Sequence, residues 1–252
     1  MCLVVFAWKM HPEYRLVLAA NRDEFHQRPA QELHWWPDNP DVLAGRDLQA
    51  GGTWLAVSRP GRFATVTNYR EQLDARPGLR SRGEIITNFV SSNTPVSKFV
   101  SSLDGAAYAG FSLLAADRED LWYVSNRGDQ AVQLSPGVYG LSNASLDTPW
   151  TKLVRTRNAL HKLTASGKVD ETALLRIMAD RTPAPSVDVE AGSLPFELAR
   201  ALTAPHIVSA EYGTRCSTAL TWSEQEEITV CERRFDAAGT TSGDSHYRFA
   251  AA

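Results

Sequence analysis

Cys2-Leu3-Val4-Val5-Phe6-Ala7-Trp8 is an unbroken apolar run of strand length. A strand that shows no polar alternation is suited to burial on both faces. Lys9 to Tyr14, with Pro12 inside it, breaks the run, and Arg15-Leu16-Val17-Leu18-Ala19-Ala20 resumes as a second strand. If the two pair across a turn near His11 and Pro12, opposed residue numbers add to about 23. Cys2 then faces Asn21, and the polar quartet Asn21-Arg22-Asp23-Glu24 emerges beside the start of the chain.

Working outward, a third strand is expected at Glu32–Trp36. Thr53–Ser58 and Arg62–Asn68 form a hairpin around Arg59-Pro60-Gly61, with numbers adding to about 120 and Asn68 opposite Gly52. Gly51-Gly52 marks either a bulge or a close backbone approach. Ser81 and Glu84 have capping-box spacing for a helix carrying Ile85, Ile86, Phe89 and Val90. A second helix opens at Thr94-Pro95. Strands return at Gly110–Ala116, Leu121–Ser125, Ala131–Leu134 and Val138–Ser142. Helices follow from Thr148-Pro149 to about Thr164, over Asp170–Ala179 and over Leu194–Leu202. The chain ends in strands at His206–Ala210, Cys216–Trp222, Ile228–Phe235 and His246–Phe249. No repeat and no linker divides this order, so one domain spanning residues 1–252 is expected. Strands, helices, strands, helices, strands, joined by hairpins, suit an α+β fold of mostly antiparallel sheets. A four-layer αββα sandwich satisfies the order and explains the two-faced first strand.

Composition narrows the function classes. The 252 residues carry a formal net charge of −3, which disfavours a broad nucleic-acid surface. No apolar run is long enough to span a bilayer, and no charged n-region precedes the first apolar stretch. Three cysteines without close spacing suggest neither a disulfide framework nor a zinc site, so a reducing cytoplasmic setting is expected. There is no P-loop, dinucleotide fingerprint, HExxH or c-type haem attachment motif.

The chemistry gathers at the first hairpin. Removal of Met1, expected before a small side chain, gives Cys2 both a thiol and a free α-amine. That amine can serve as general base for its own side chain. A nearby Arg22 favours the thiolate, Asp23 or Glu24 can hold the amine, and the Asn68 or Asn143 side-chain amide can donate to an oxyanion. The set suits attack on an amide or ester carbonyl. Arg215, entering a buried strand, calls for a carboxylate partner or an anionic group. Cys216 and Arg233 are expected to be opposed, so Cys216 and Cys231 do not face each other and stay free thiols. Among six histidines, His26 and His34 flank the quartet and the Trp35-Trp36 pair. They are the first choice for axial ligands if a planar macrocycle such as haem is bound.

Several segments together resemble the NRDE family, the homologues of transport and Golgi organisation protein two. They are Met1-Cys2, Leu18 to Phe25 with Arg28-Pro29, and Gly51-Gly52-Thr53-Trp54-Leu55. Thr67-Asn68-Tyr69, Tyr139 to Ala144, Thr148-Pro149-Trp150 and Tyr212-Gly213-Thr214-Arg215 complete the set. The resemblance implies an N-terminal-nucleophile (Ntn) hydrolase fold, more distantly similar to cholylglycine hydrolases and penicillin V acylases. In those enzymes a mature N-terminal Cys acts with an Arg, an Asp, asparagines and a late Arg. Cys2, Asn68, Asn143 and Arg215 match that pattern, whereas Arg22 and Asp23 are adjacent here and separated there. Two functions follow as expectations. One is a cysteine amidohydrolase acting on a small-molecule amide, with no cofactor required. The other, associated with the family, is a non-catalytic protein that binds and moves haem, acyl-CoA or lipid in the same cleft, with Asn21, Glu24, His26, His34, Trp35 and Gly52 as ligand contacts.

Overall fold

The computed structural model describes residues 2–70, 78–128, 130–189 and 194–252. β1 (Cys2–Trp8) and β2 (Tyr14–Phe25) form the expected hairpin. β3 (Ala30–Trp36), β4 (Asn39–Asp47), β5 (Leu55–Ser58) and β6 (Arg62–Asn68) follow, then helices α1 (Gly83–Val90) and α2 (Val96–Ser101). Next come β7 (Phe111–Ala116), β8 (Leu121–Ser125), β9 (Val132–Gln133) and β10 (Gly137–Leu141). Helices α3 (Thr151–Ala165), α4 (Glu171–Met178) and α5 (Phe196–Ala201) precede β11 (Tyr212–Ser223), β12 (Glu227–Phe235) and β13 (Thr241–Ala250).

The strands form two sheets, ordered β10-β1-β2-β11-β12-β13 and β3-β4-β5-β6-β7-β8-β9, with antiparallel pairing throughout both ladders. β1 explains the layering. Because strand side chains alternate, Val4, Phe6 and Trp8 enter the core between the sheets. Leu3, Val5 and Ala7 pack outward against Leu153 and Leu160 of α3 and Leu174 of α4. The second sheet does the same with α1, through Ile85, Ile86 and Phe89, and with α2, through Val96 and Val100. This is the expected four-layer αββα sandwich. No described helix is long and apolar enough to cross a membrane.

Four local expectations are corrected. Residues 21–25 continue β2, because Tyr212, Gly213 and Thr214 of β11 pair with Phe25, Glu24 and Asp23; a partner strand supplies the ladder that the polar residues' own propensity does not favour. β4 is a strand that Pro40 and Gly45 mask in the sequence. Residues 206–210 form only an isolated bridge, Val208 to Gly213. Two expected helix starts shift: α1 has Arg82 at its N-cap and no side-chain cap, and α3 begins after Trp150, with Pro149 outside the helix, whereas the expected start of α4 holds, with Asp170 at its N-cap.

The 59–61 hairpin keeps the expected pairing, Leu55 with Thr65 and Ser58 with Arg62. Gly61 supplies its left-handed position (φ 75°). Gly52 lies N-terminal to β5, where a Cβ would come within 2.6 Å of the Gly83 backbone at the start of α1. Its glycine therefore serves a close backbone approach.

Candidate active site

The first hairpin pairs Cys2 with Arg22 and Leu3 with Asn21, one residue away from the expected register. The slip matters because opposed residues share a face. Cys2, Arg22 and, across β11, Cys216 lie in one row on the inner face, and Asn21 and Asp23 turn to the helix side. Arg22 is buried and held by stacking over Trp54 (4.2 Å) and by Asp47 (4.0 Å), whose carboxylate also binds Arg28 at 2.7 Å. Cys2 is half-buried beside a cavity of about 10 Å³ that Arg22, Trp54, Thr65 and Thr218 also line, space for about one water. Burial pushes the Cys2 thiol up and the Asp23 charge adds to this, while the Asp23 backbone N–H donated to the sulfur and the nearby Arg22 pull it down. Ser142 Oγ donates to the Cys2 carbonyl at 2.7 Å, which fixes the strand's first peptide.

On the other face Asp23 is buried. Its carboxylate accepts from Thr214 Oγ1 at 2.6 Å, and its backbone carbonyl accepts from the Tyr212 hydroxyl at 2.8 Å. Burial raises its pKa, while Lys152, the Thr214 bond and Arg22 lower it. Lys152, which sequence reasoning missed, is a buried cation in the first turn of α3. Its Nζ donates to the Leu202 carbonyl at 3.2 Å. Burial drives its pKa down, and the charges of Asp23 and Cys2 act to raise it. The signal was present: Lys152, Thr156, Leu160 and Thr164 step by four along the buried face of α3. Lys152 also lines a 550 Å³ cavity whose walls include Arg70, Trp150, Val187 and Leu202.

The other expected residues divide. Asn143 is buried near Cys2 through Ser142, whose hydroxyl also contacts Asn143 Oδ1 at 3.3 Å, and Asn143 Nδ2 donates to the Asn68 carbonyl at 2.9 Å. Asn68 is exposed at the end of β6 and pairs with Phe111. Asn21 is fully occupied, donating to the Met178 and Pro205 carbonyls and accepting from Ser217. Among the described residues Arg215 forms no ion pair: it donates to the carbonyls of Phe25, His26 and Arg28 and so shapes the turn after β2. Glu24 accepts from the Phe25 N–H and lies 3.9 Å from Arg28. Cys216 and Cys231 are free, and Cys216 faces Arg234 rather than Arg233.

His26 Nε2 bonds the Ser209 carbonyl and His34 Nδ1 the Glu32 carbonyl. Trp35 is no open platform, because Arg59 covers it at 4.0 Å and Tyr247 and Phe249 pack edge-on against it. None of the three lines the Cys2 cavity or the 550 Å³ cavity, so the expected axial ligands and the aromatic face do not converge.

Comparison with known proteins agrees with this architecture. Among solved structures, the fold is similar to that of a Caenorhabditis elegans N-acylethanolamine-hydrolyzing acid amidase ortholog, with a TM-score of 0.51 and 10% identity over 87% of this chain and 92% of that one. It is also similar to the mutant C2A conjugated bile acid hydrolase from Clostridium perfringens, with a TM-score of 0.51 and 9% identity over 99% and 97%. In sequence, the human Transport and Golgi organization protein 2 homolog is 34% identical over 92% of each chain. The mouse protein gives the same identity and coverage. The family model for Transport and Golgi organisation 2 matches residues 1–237, and the chain belongs to that family.

Proposed function

We propose that the protein is an Ntn-type cysteine amidohydrolase for a small-molecule amide, with Cys2 as nucleophile. The observation that carries this reading is the row joining Cys2 to Arg22 while the Asp23 N–H is directed at the sulfur. Two groups that favour a thiolate meet the one cysteine that removal of Met1 would make N-terminal. Both fold neighbours bear the names of hydrolases, one of them an amidase.

In the proposed reaction the α-amine of processed Cys2 takes the thiol proton, and the thiolate attacks the amide carbon. The oxyanion is met by the Asn143 N–H that the Asn68 carbonyl leaves over, with Asn68 reaching in from the end of β6. The α-ammonium returns its proton to the departing amine and a thioester remains. Water, deprotonated by the same amine, cleaves the thioester to a carboxylic acid and restores the thiol. Arg22 favours the thiolate, and Asp23 with Lys152 sets the field around the amine. Trp54 and Arg22 must shift to admit an acyl group to so small a cavity.

Intact mass and covalent labelling test the reading together. The purified protein should lack Met1 and form one adduct at Cys2 with a carbonyl electrophile such as a β-lactone. Cys2→Ala should abolish the adduct, and turnover of any amide substrate should fall on the order of 10³-fold or more. Retained Met1 with an unlabelled Cys2 would overturn it.

The size of the Lys152 cavity favours a second reading, a carrier of acyl-CoA or another amphiphilic anion, with Arg70 and Lys152 as its cations. Haem as cargo has no such support from the described histidines. Saturable binding that survives Cys2→Ala, with no adduct formed, would select the carrier.

A further inference from the structure

We propose that Glu171, Cys231 and His246 form a site for a divalent transition-metal ion of the zinc class, separate from Cys2. The β12–β13 register places Cys231 opposite His246, so both side chains leave the same face of the sheet. It is the helix-facing side, where Cys231 packs in the cluster beneath α4. The first residue of α4, Glu171, lies over the pair.

The three side chains touch one another. Cys231 Sγ is 3.8 Å from His246 Nε2, His246 Nδ1 is 3.0 Å from Glu171 Oε2, and the Cys231 thiol hydrogen-bonds Glu171. One ligand atom from each lies within 4.8 Å of the others. Zinc bonds of about 2.0–2.3 Å in a tetrahedron separate their donors by roughly 3.3–3.8 Å, so small side-chain movements bring the three to coordinating distance.

The donor set selects the ion. Thiolate and imidazole suit zinc or cobalt, whereas magnesium and calcium require oxygen shells. Charge agrees: a thiolate and a carboxylate balance a dication, and the displaced thiol proton leaves to solvent. The carboxylates of Glu171 and Asp244 place negative charge beside Cys231, a field that attracts a cation. The neighbouring cation, Arg233, is committed to Asp244 through bonds of 3.0 and 2.7 Å. His246 is exposed, which leaves the fourth position open to water and gives the ion a route in. β13 is the edge strand of its sheet, so a bound ion would fasten that edge to α4.

Titration of the chelator-stripped full-length protein with cobalt(II) alone tests the site. One equivalent should produce a sulfur-to-cobalt charge-transfer band and tetrahedral visible bands, and zinc(II) should displace both. Cys231→Ser should abolish the charge-transfer band. Surface-exposed His246→Ala, which does not threaten folding, should weaken binding at least about tenfold. Cys2→Ser, on the opposite face, should leave the titration unchanged, which separates this outcome from the fate of the amidohydrolase reading. No band at one equivalent, a charge-transfer band that survives Cys231→Ser, or cobalt affinity unchanged in His246→Ala would overturn the proposal.

Discussion

The strands β1, β2 and β11 run side by side, yet their two ends are built differently. At one end Trp8, Leu16 and Trp222 are sealed against the second sheet. At the other, Cys2, Arg22, Asp23 and Asn21 are packed with Thr214, Ser217, Cys216 and Glu232, and Cys2 alone of these is not fully buried. Apolar burial is stabilising in proportion to area and indifferent to detailed partners. Buried polar groups stabilise only when each is satisfied. The second end therefore carries its cost in hydrogen bonds: Asn21 ties β2 to the end of α4 and to Pro205, and Glu232 accepts from the Leu33 N–H and the Cys216 thiol. Arg15 and Arg62 are buried elsewhere, but only at this end do Arg22, Asp23 and Glu232 gather around Cys2, which concentrates reactive chemistry there.

The largest test of this contrast is Trp222→Ala. Trp222 is fully buried, with Arg15 against its ring at 5.2 Å, and its loss should cost about 3–5 kcal/mol in chemical denaturation. The folded fraction should keep the thiol reactivity of Cys2 unchanged. A loss of reactivity per folded molecule would mean that the two ends are mechanically one. Asn21→Ala is the corresponding change at the polar end. It removes little area but strands two carbonyls and the Ser217 hydroxyl, and should cost about 2 kcal/mol. A neutral result would show that water replaces the amide and that the network is less closed than its geometry.

How much of this was legible differs between the ends. The apolar strands were recognised because continuous Val, Leu and Phe leave few alternatives, and the 59–61 hairpin kept its register because Pro60-Gly61 fixes the turn. The first hairpin slipped by one because its turn has no such signature: Lys9 takes the left-handed conformation (φ 50°) that a glycine or asparagine would have announced. That single step exchanged Asn21 for Arg22 as the neighbour of Cys2. Lys152 was missed because composition cannot separate a buried lysine from a surface one; only its helical phase does. Arg215 was expected to need a carboxylate or an anion because it enters a buried strand; it is half-buried, and its carbonyl partners come from a turn far away in sequence.

Asp23→Asn reads the smallest effect and the most specific one. Burial raises the Asp23 pKa above its ordinary value of 3.8, against the pull of Lys152 and the Thr214 hydroxyl. A raised carboxyl binds more protons folded than unfolded, so its contribution to stability is lost as pH rises from 3.8 through the folded value. Lys152 has the opposite shift, lowered from 10.5, so its own contribution falls as pH drops below 10.5 toward its folded value. Urea denaturation as pH rises from 3.8 toward neutral should therefore show the wild-type protein losing more stability than the Asn variant. Equal slopes would mean that Lys152 and Arg22 fully offset the burial of the carboxylate. The polar end would then be as settled as the apolar one, with no electrostatic strain left to tune the thiol beside it.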